Sequence, residues 1–173
     1  MSTRIGLAAA LVAFALPAGA TDVFVDAETG NHARLLGLGV SMPGRDALFG
    51  GDGWQVDQAW DARVAYVRAK NSAATDRDLW DVGLVPVLRL RPSAAGEVTP
   101  FAEAGIGVHL ISRTELDNRK FSTAFQFGEH LAVGARFGAY AASLRLEHIS
   151  NGSIKRPNSG MTFAGIELSC GWR

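Results

Sequence analysis

Within "LEHISNGSIKRPNSG", residues 146–160, His148 and Ser150 are of the types that together make a nucleophile. A serine hydroxyl attacks poorly by itself, and an imidazole within hydrogen-bonding reach activates it as a general base. The pair is spaced i, i+2 at the end of an alternating apolar run, and on a strand that spacing puts both side chains on one face. The segment that follows is polar, with Asn151, Asn158, Pro157 and several small residues. Spacing alone leaves a blander alternative open: a histidine and a serine at a membrane interface, the histidine binding lipid headgroups.

Such a pair works only if the elements around it hold it in place. The chain shows period-two alternation along most of its length, with one parity apolar. Trp80, Val82, Leu84, Pro86, Leu88 and Leu90 alternate with Asp81, Arg89 and Arg91; Ala102, Ala104, Ile106, Val108 and Leu110 alternate with Glu103 and His109. From Phe121 the odd positions include Phe121, Phe125, Phe127, Leu131, Val133, Ala135 and Phe137, with Glu129 breaking the apolar parity. Eight strands are expected, over 21–28, 33–42, 54–70, 79–91, 99–112, 121–137, 140–150 and 161–172. Pro86 must remove one ladder donor from its strand.

Alternation does not by itself say which face meets water. In a soluble lipocalin-like binder the apolar parity points inward; in a small membrane barrel it points to lipid and the polar parity fills the lumen. Three features favour an eight-stranded antiparallel transmembrane β-barrel. The strands are long enough to cross a bilayer at a tilt. The polar face mixes glycines with Asp61, Arg63, Arg89, Glu103, Arg136, Arg145 and Glu147, charges of both signs that can pair inside a narrow lumen. Trp54, Trp60, Tyr66, Trp80 and Trp172 lie on the apolar parity near run ends, where interfacial aromatics belong. Short turns near 92–98 and 137–140 and longer polar loops at 71–78, 113–120 and 151–160 put the His148–Ser150 end outside the cell. There the pair has the same parity as Leu144 and Leu146, so it faces lipid.

Residues 1–20 carry a single charge, Arg4, before an apolar stretch and the Ala18-Gly19-Ala20 cleavage pattern, which reads as a secretory signal peptide. Residues 21–173 then form the barrel domain. With 17 Lys+Arg against 17 Asp+Glu, net charge gives no reason to expect a nucleic-acid partner. The 47% hydrophobic content and 20 glycines suit a Gly-punctuated β protein. The lone Cys170 excludes an internal disulfide. His32, His109, His130 and His148 show none of the ligand spacings of a zinc site, so no metal or cofactor is expected.

The segment from His148 to Gly160 resembles the outer-membrane lipid A 3-O-deacylases (PagL-type). It matches their pattern of His-x-Ser-Asn, an apolar residue four after the Ser, then Pro-Asn-x-Gly. The likeness extends to "LVPVLRLRP", "FAEAGIGVHLIS" and "FQFGEHLAVGARFG", and so over most of the mature chain. It implies an esterase of the Gram-negative outer membrane that removes the ester-linked acyl chain at the 3-position of lipid A in the outer leaflet. Lipopolysaccharide and outer-membrane lipids are the implied partners, and a homodimer stays open. The resemblance casts His148 as base and Ser150 as nucleophile, with Asn151 and Asn158 as polar residues of the motif. Ester cleavage develops negative charge on the carbonyl oxygen, so Asn158 or the backbone amides of 151–153 are expected to receive it.

The family's triad carries a carboxylate two residues after the Pro-Asn-x-Gly glycine; here that position is Thr162. A threonine hydroxyl can orient His148 by accepting its N–H but offers no charge. Among other carboxylates, Glu147 and Glu167 have lumen parity. Glu129 points outward, although its mid-strand position argues against reach to His148. A catalytically weak or inactive barrel with a structural or lipid-binding role is therefore the alternative.

Overall fold

The computed structural model describes residues 22–71 and 73–171. The expected signal peptide and Trp172 lie outside them. The strands are β1 (Asp22–Thr29), β2 (Ala33–Pro43), β3 (Phe49–Gly50), β4 (Trp54–Ala69), β5 (Asp78–Pro92), β6 (Val98–Ile111), β7 (Glu115–Leu116), β8 (Arg119–Lys120), β9 (Phe125–Phe137), β10 (Tyr140–Ser150) and β11 (Met161–Gly171). Eight of these are long, and each pairs antiparallel with its neighbours around a ring. β1 pairs with β11 as well as β2, and β2 pairs with β4, so the meander closes on itself. Closure leaves no long edge, which backbone in hydrocarbon requires.

Burial settles which parity points where. Leu144 is 64% exposed while its neighbour Arg145 is 4% exposed. Leu36, Ile106, Leu131 and Val133 project outward in the same way, and Asp26, Arg63, Glu103 and Glu147 are buried inside. That pattern is the inverse of a soluble binder and suits a wall facing lipid. Tyr66 packs against Trp80 near the β4–β5 loop end, an aromatic pair at the rim.

The interior is tiered. Toward the long-loop end it is apolar, built from Leu35, Val67, Leu79, Ile111, Leu116, Phe121, Met161 and Phe163. Below lies an ionic layer in which Arg63 contacts Glu147 at 2.7 Å, Asp81 at 3.3 Å, Asp26 at 3.4 Å and Glu28 at 3.7 Å. Arg145 joins Glu28, Glu147 and Glu167, and His109 Nδ1 lies 2.9 Å from Asp81. Each carboxylate thus removed from water is set against a guanidinium or imidazole, the arrangement a buried charge needs.

Three departures from the expected plan have local causes. Residues 121–124 leave the strand pattern: Ser122 takes a positive φ of 64°, the chain turns inward and Phe121 is fully buried rather than lipid-facing. Pro86 keeps its pairing with Trp60, but the β5–β6 ladder breaks between Leu84↔Val108 and Val87↔Gly105, where proline has no N–H to give. The connection 44–53 is long although it lies at the short-turn end, and it folds back as β3 onto β4.

Candidate active site

Strand register assembles the site. On β10, His148 stands directly between Thr162 of β11 and Glu129 of β9, and Ser150 stands opposite Phe127. All lie on the outward parity, at the end of the barrel that carries the long loops. Direct cross-strand neighbours have Cβ atoms about 4.5–5.5 Å apart. Glu129, expected mid-strand, is the fifth residue of β9 and a direct cross-strand neighbour of His148, but among the described residues its carboxylate forms no hydrogen bond or ion pair with the ring.

The imidazole is held from one side and open on the other. His148 Nδ1 lies 2.8 Å from Thr162 Oγ1. With the hydroxyl accepting, Nδ1 carries the proton and Nε2 is left as the basic nitrogen. That nitrogen is turned toward Gly160, whose φ of 55° bends the loop under the ring. A Cβ placed on Gly160 would fall 3.0 Å from His148 Cε1, 3.3 Å from Nε2 and 3.4 Å from Ser150 Cβ. The ring edge and Ser150 Cβ thus both border the space above Gly160, while among the described residues Ser150 Oγ meets the Gly152 N–H and forms no hydrogen bond with the imidazole.

The loop 151–160 is fixed to the neighbouring 112–124 segment by polar contacts. The Asn151 amide is buried and donates to Phe121 O at 2.7 Å and Lys155 O at 2.8 Å. Arg119 Nη1 donates to Ser159 O at 2.7 Å, and Ser122 Oγ donates to Pro157 O at 2.6 Å. Asn158 Oδ1 accepts the backbone N–H of Asn151 at 3.2 Å. The Asn151 side chain is thus engaged within the loop, whereas the Gly152 N–H points to Ser150 Oγ at 3.4 Å. Chain spacing carried no sign of Arg119 or Ser122 as supports, because their partners lie some forty residues away, whereas Gly160 stands in the Pro-Asn-x-Gly pattern. The break in apolar parity at Glu129 was the one visible signal for that residue.

Asp61, Glu103 and His130 bring potential metal-ligand atoms within 4.8 Å of one another inside the lumen. They come from three strands, so no local spacing announced them. Being buried on the inner parity, they are separated by the barrel wall from His148 and Ser150.

The family described as Lipid A 3-O-deacylase (PagL) matches residues 34–170. The chain belongs to this family. It is 32% identical over 134 residues to the lipid A deacylase PagL of Bordetella bronchiseptica, covering 76% of this chain and 72% of that one. The Pseudomonas aeruginosa protein of the same name is 27% identical over 134 residues, covering 77% and 75%. The crystal structure of the outer membrane enzyme PagL superimposes with a TM-score of 0.75 at 22% identity, over 88% of this chain and 99% of that one. That last likeness concerns the barrel fold.

Proposed function

We propose that the protein is an outer-membrane lipid A 3-O-deacylase, exported through the signal peptide at residues 1–20, with Ser150 as nucleophile and His148 as base. The observation that carries the proposal is His148 on the outer wall with Nδ1 held at 2.8 Å by Thr162 and with its other edge and Ser150 Cβ both beside Gly160. An apolar outer wall beside that row suits a substrate that is itself a membrane component. Its acyl chains rest along Leu144, Leu146 and Leu131, which are half or more exposed.

In this mechanism His148 Nε2 takes the Ser150 hydroxyl proton as Oγ attacks the ester carbonyl. The Gly152 N–H and the Asn158 amide donate to the oxyanion. As the carbon–oxygen bond to the sugar breaks, the imidazolium returns its proton to the departing sugar oxygen. Water, deprotonated by His148, then releases the fatty acid and restores Ser150. Thr162 keeps the ring in its working tautomer. Glu129, on the opposite side of the ring, supplies the negative charge that stabilises the imidazolium and that Thr162 lacks.

The absent carboxylate at Thr162 favours a second reading, a barrel with little or no turnover. Purified protein in detergent, incubated with lipid A, separates the two. Release of a free 3-hydroxy fatty acid by the native protein, and none by Ser150→Ala or His148→Asn, supports hydrolysis. Folded protein that releases no acid from any lipid A would leave only the inert barrel.

A further inference from the structure

A groove of about 680 Å³ runs down the outer wall beside the His148–Thr162 row. Its floor is small, Ala27 and Thr29 of β1 and Ala164 of β11, and Leu36, Tyr66 and Ile166 rise on either side. Ala164 follows Thr162 by two residues on the same face, so one end of the groove adjoins the site. Four cations stand at its loop end: Arg34, Arg68, Lys70 and Arg77.

Arg34 and Arg68 are direct cross-strand partners, both outward and exposed, and like charges so placed repel. Asp78 is the next residue along that row beyond Arg68, yet among the described residues none of the four cations forms an ion pair. Glu28 borders the groove through the wall, but its carboxylate is directed into the lumen, toward Arg63 and Arg145. Two unpaired guanidiniums side by side form a fork suited to the oxygens of one phosphate.

Resting on the deacylase reading above, we propose that the Arg34–Arg68 pair, backed by Lys70 and Arg77, binds a phosphomonoester of the glycolipid whose ester reaches Ser150. One acyl chain of the same molecule lies in the groove below. The clamp makes the protein selective for phosphorylated glycolipid and fixes which ester meets the nucleophile.

The test compares bisphosphorylated and dephosphorylated lipid A as substrates in detergent micelles. The Arg34→Gln/Arg68→Gln double variant should raise KM for the phosphorylated lipid at least tenfold, leave kcat within about threefold, and leave KM for the dephosphorylated lipid unchanged. An equal rise for both lipids, or none for either, overturns the clamp. Inorganic phosphate serves as competitor to separate the group from its lipid carrier. Inhibition at millimolar concentration that the double variant loses shows recognition of phosphate alone; absence of inhibition with the KM effect intact shows that the lipid-borne group is required. If the native protein hydrolyses neither lipid, the deacylase reading fails separately. Binding of Ser150→Ala protein to vesicles containing phosphorylated lipid A then tests the clamp: retention with the arginines and loss without them upholds it, and equal binding overturns it.

Discussion

His148 has a polar neighbour on each side, and the two differ in what they give. The Thr162 hydroxyl fixes the ring but brings no charge; Glu129 brings charge but makes no hydrogen bond to the ring. Removing the hydroxyl in Thr162→Val should lower kcat about tenfold, the worth of roughly one hydrogen bond at the transition state. Thr162→Glu should raise kcat by a similar factor, because a charge-assisted bond to the same nitrogen is about twice as strong. Glu129→Gln should cost about fivefold, less than the full Coulomb term because the carboxylate is exposed. Steady-state rates on lipid A read all three. No gain from Thr162→Glu together with no loss from Glu129→Gln would mean that the ring is oriented by other groups. The His-x-Ser spacing was legible in the chain because a two-residue period is local. The Glu129–His148 adjacency follows instead from the two-residue turn between Phe137 and Tyr140, which sets the register by counting back along both strands.

Among the elements, alternation marks the strands closely and leaves the loops around the site undefined. β10 runs from Tyr140 to Ser150 as expected, since alternation and the following polar segment mark both its ends. Residues 121–124 depart from the expected strand because an apolar residue on the right parity looks the same whether it faces lipid or turns into the core, and the positive φ of Ser122 decides for Phe121. Loop 151–160 gains its shape from contacts with that same segment. Gly160→Ala should therefore be damaging beyond its size: a side chain at φ 55° is strained by about 1–2 kcal/mol, and its Cβ meets the imidazole. Activity should fall by about a hundredfold while the barrel stays folded, checked by retained heat-modifiable migration in a detergent gel. An unimpaired Gly160→Ala enzyme would show that the space above this residue is not where His148 and Ser150 meet.

Across the whole molecule, polarity is distributed inside out. Charges fill the lumen, leucines cover the outside, and an apolar plug under the loops gives the site a firm base. Arg63 lies at the centre of four carboxylates, so Arg63→Ala should strip their common counter-charge and cost about 3–5 kcal/mol of stability, read from urea unfolding in lipid vesicles. The fold class was legible because the apolar parity persists through eight strands with charges of both signs opposite. What alternation left open, the choice between lipid and core on the apolar side, is decided by closure of the ring and the burial of those charges. The most direct measurement of the central claim is mass spectrometry of lipid A from Gram-negative cells with and without this protein in their outer membrane. The account predicts loss of one 3-hydroxyacyl group in cells with the native protein, and none in cells with Ser150→Ala present at equal level. Lipid A of unchanged mass beside correctly inserted native protein would contradict it.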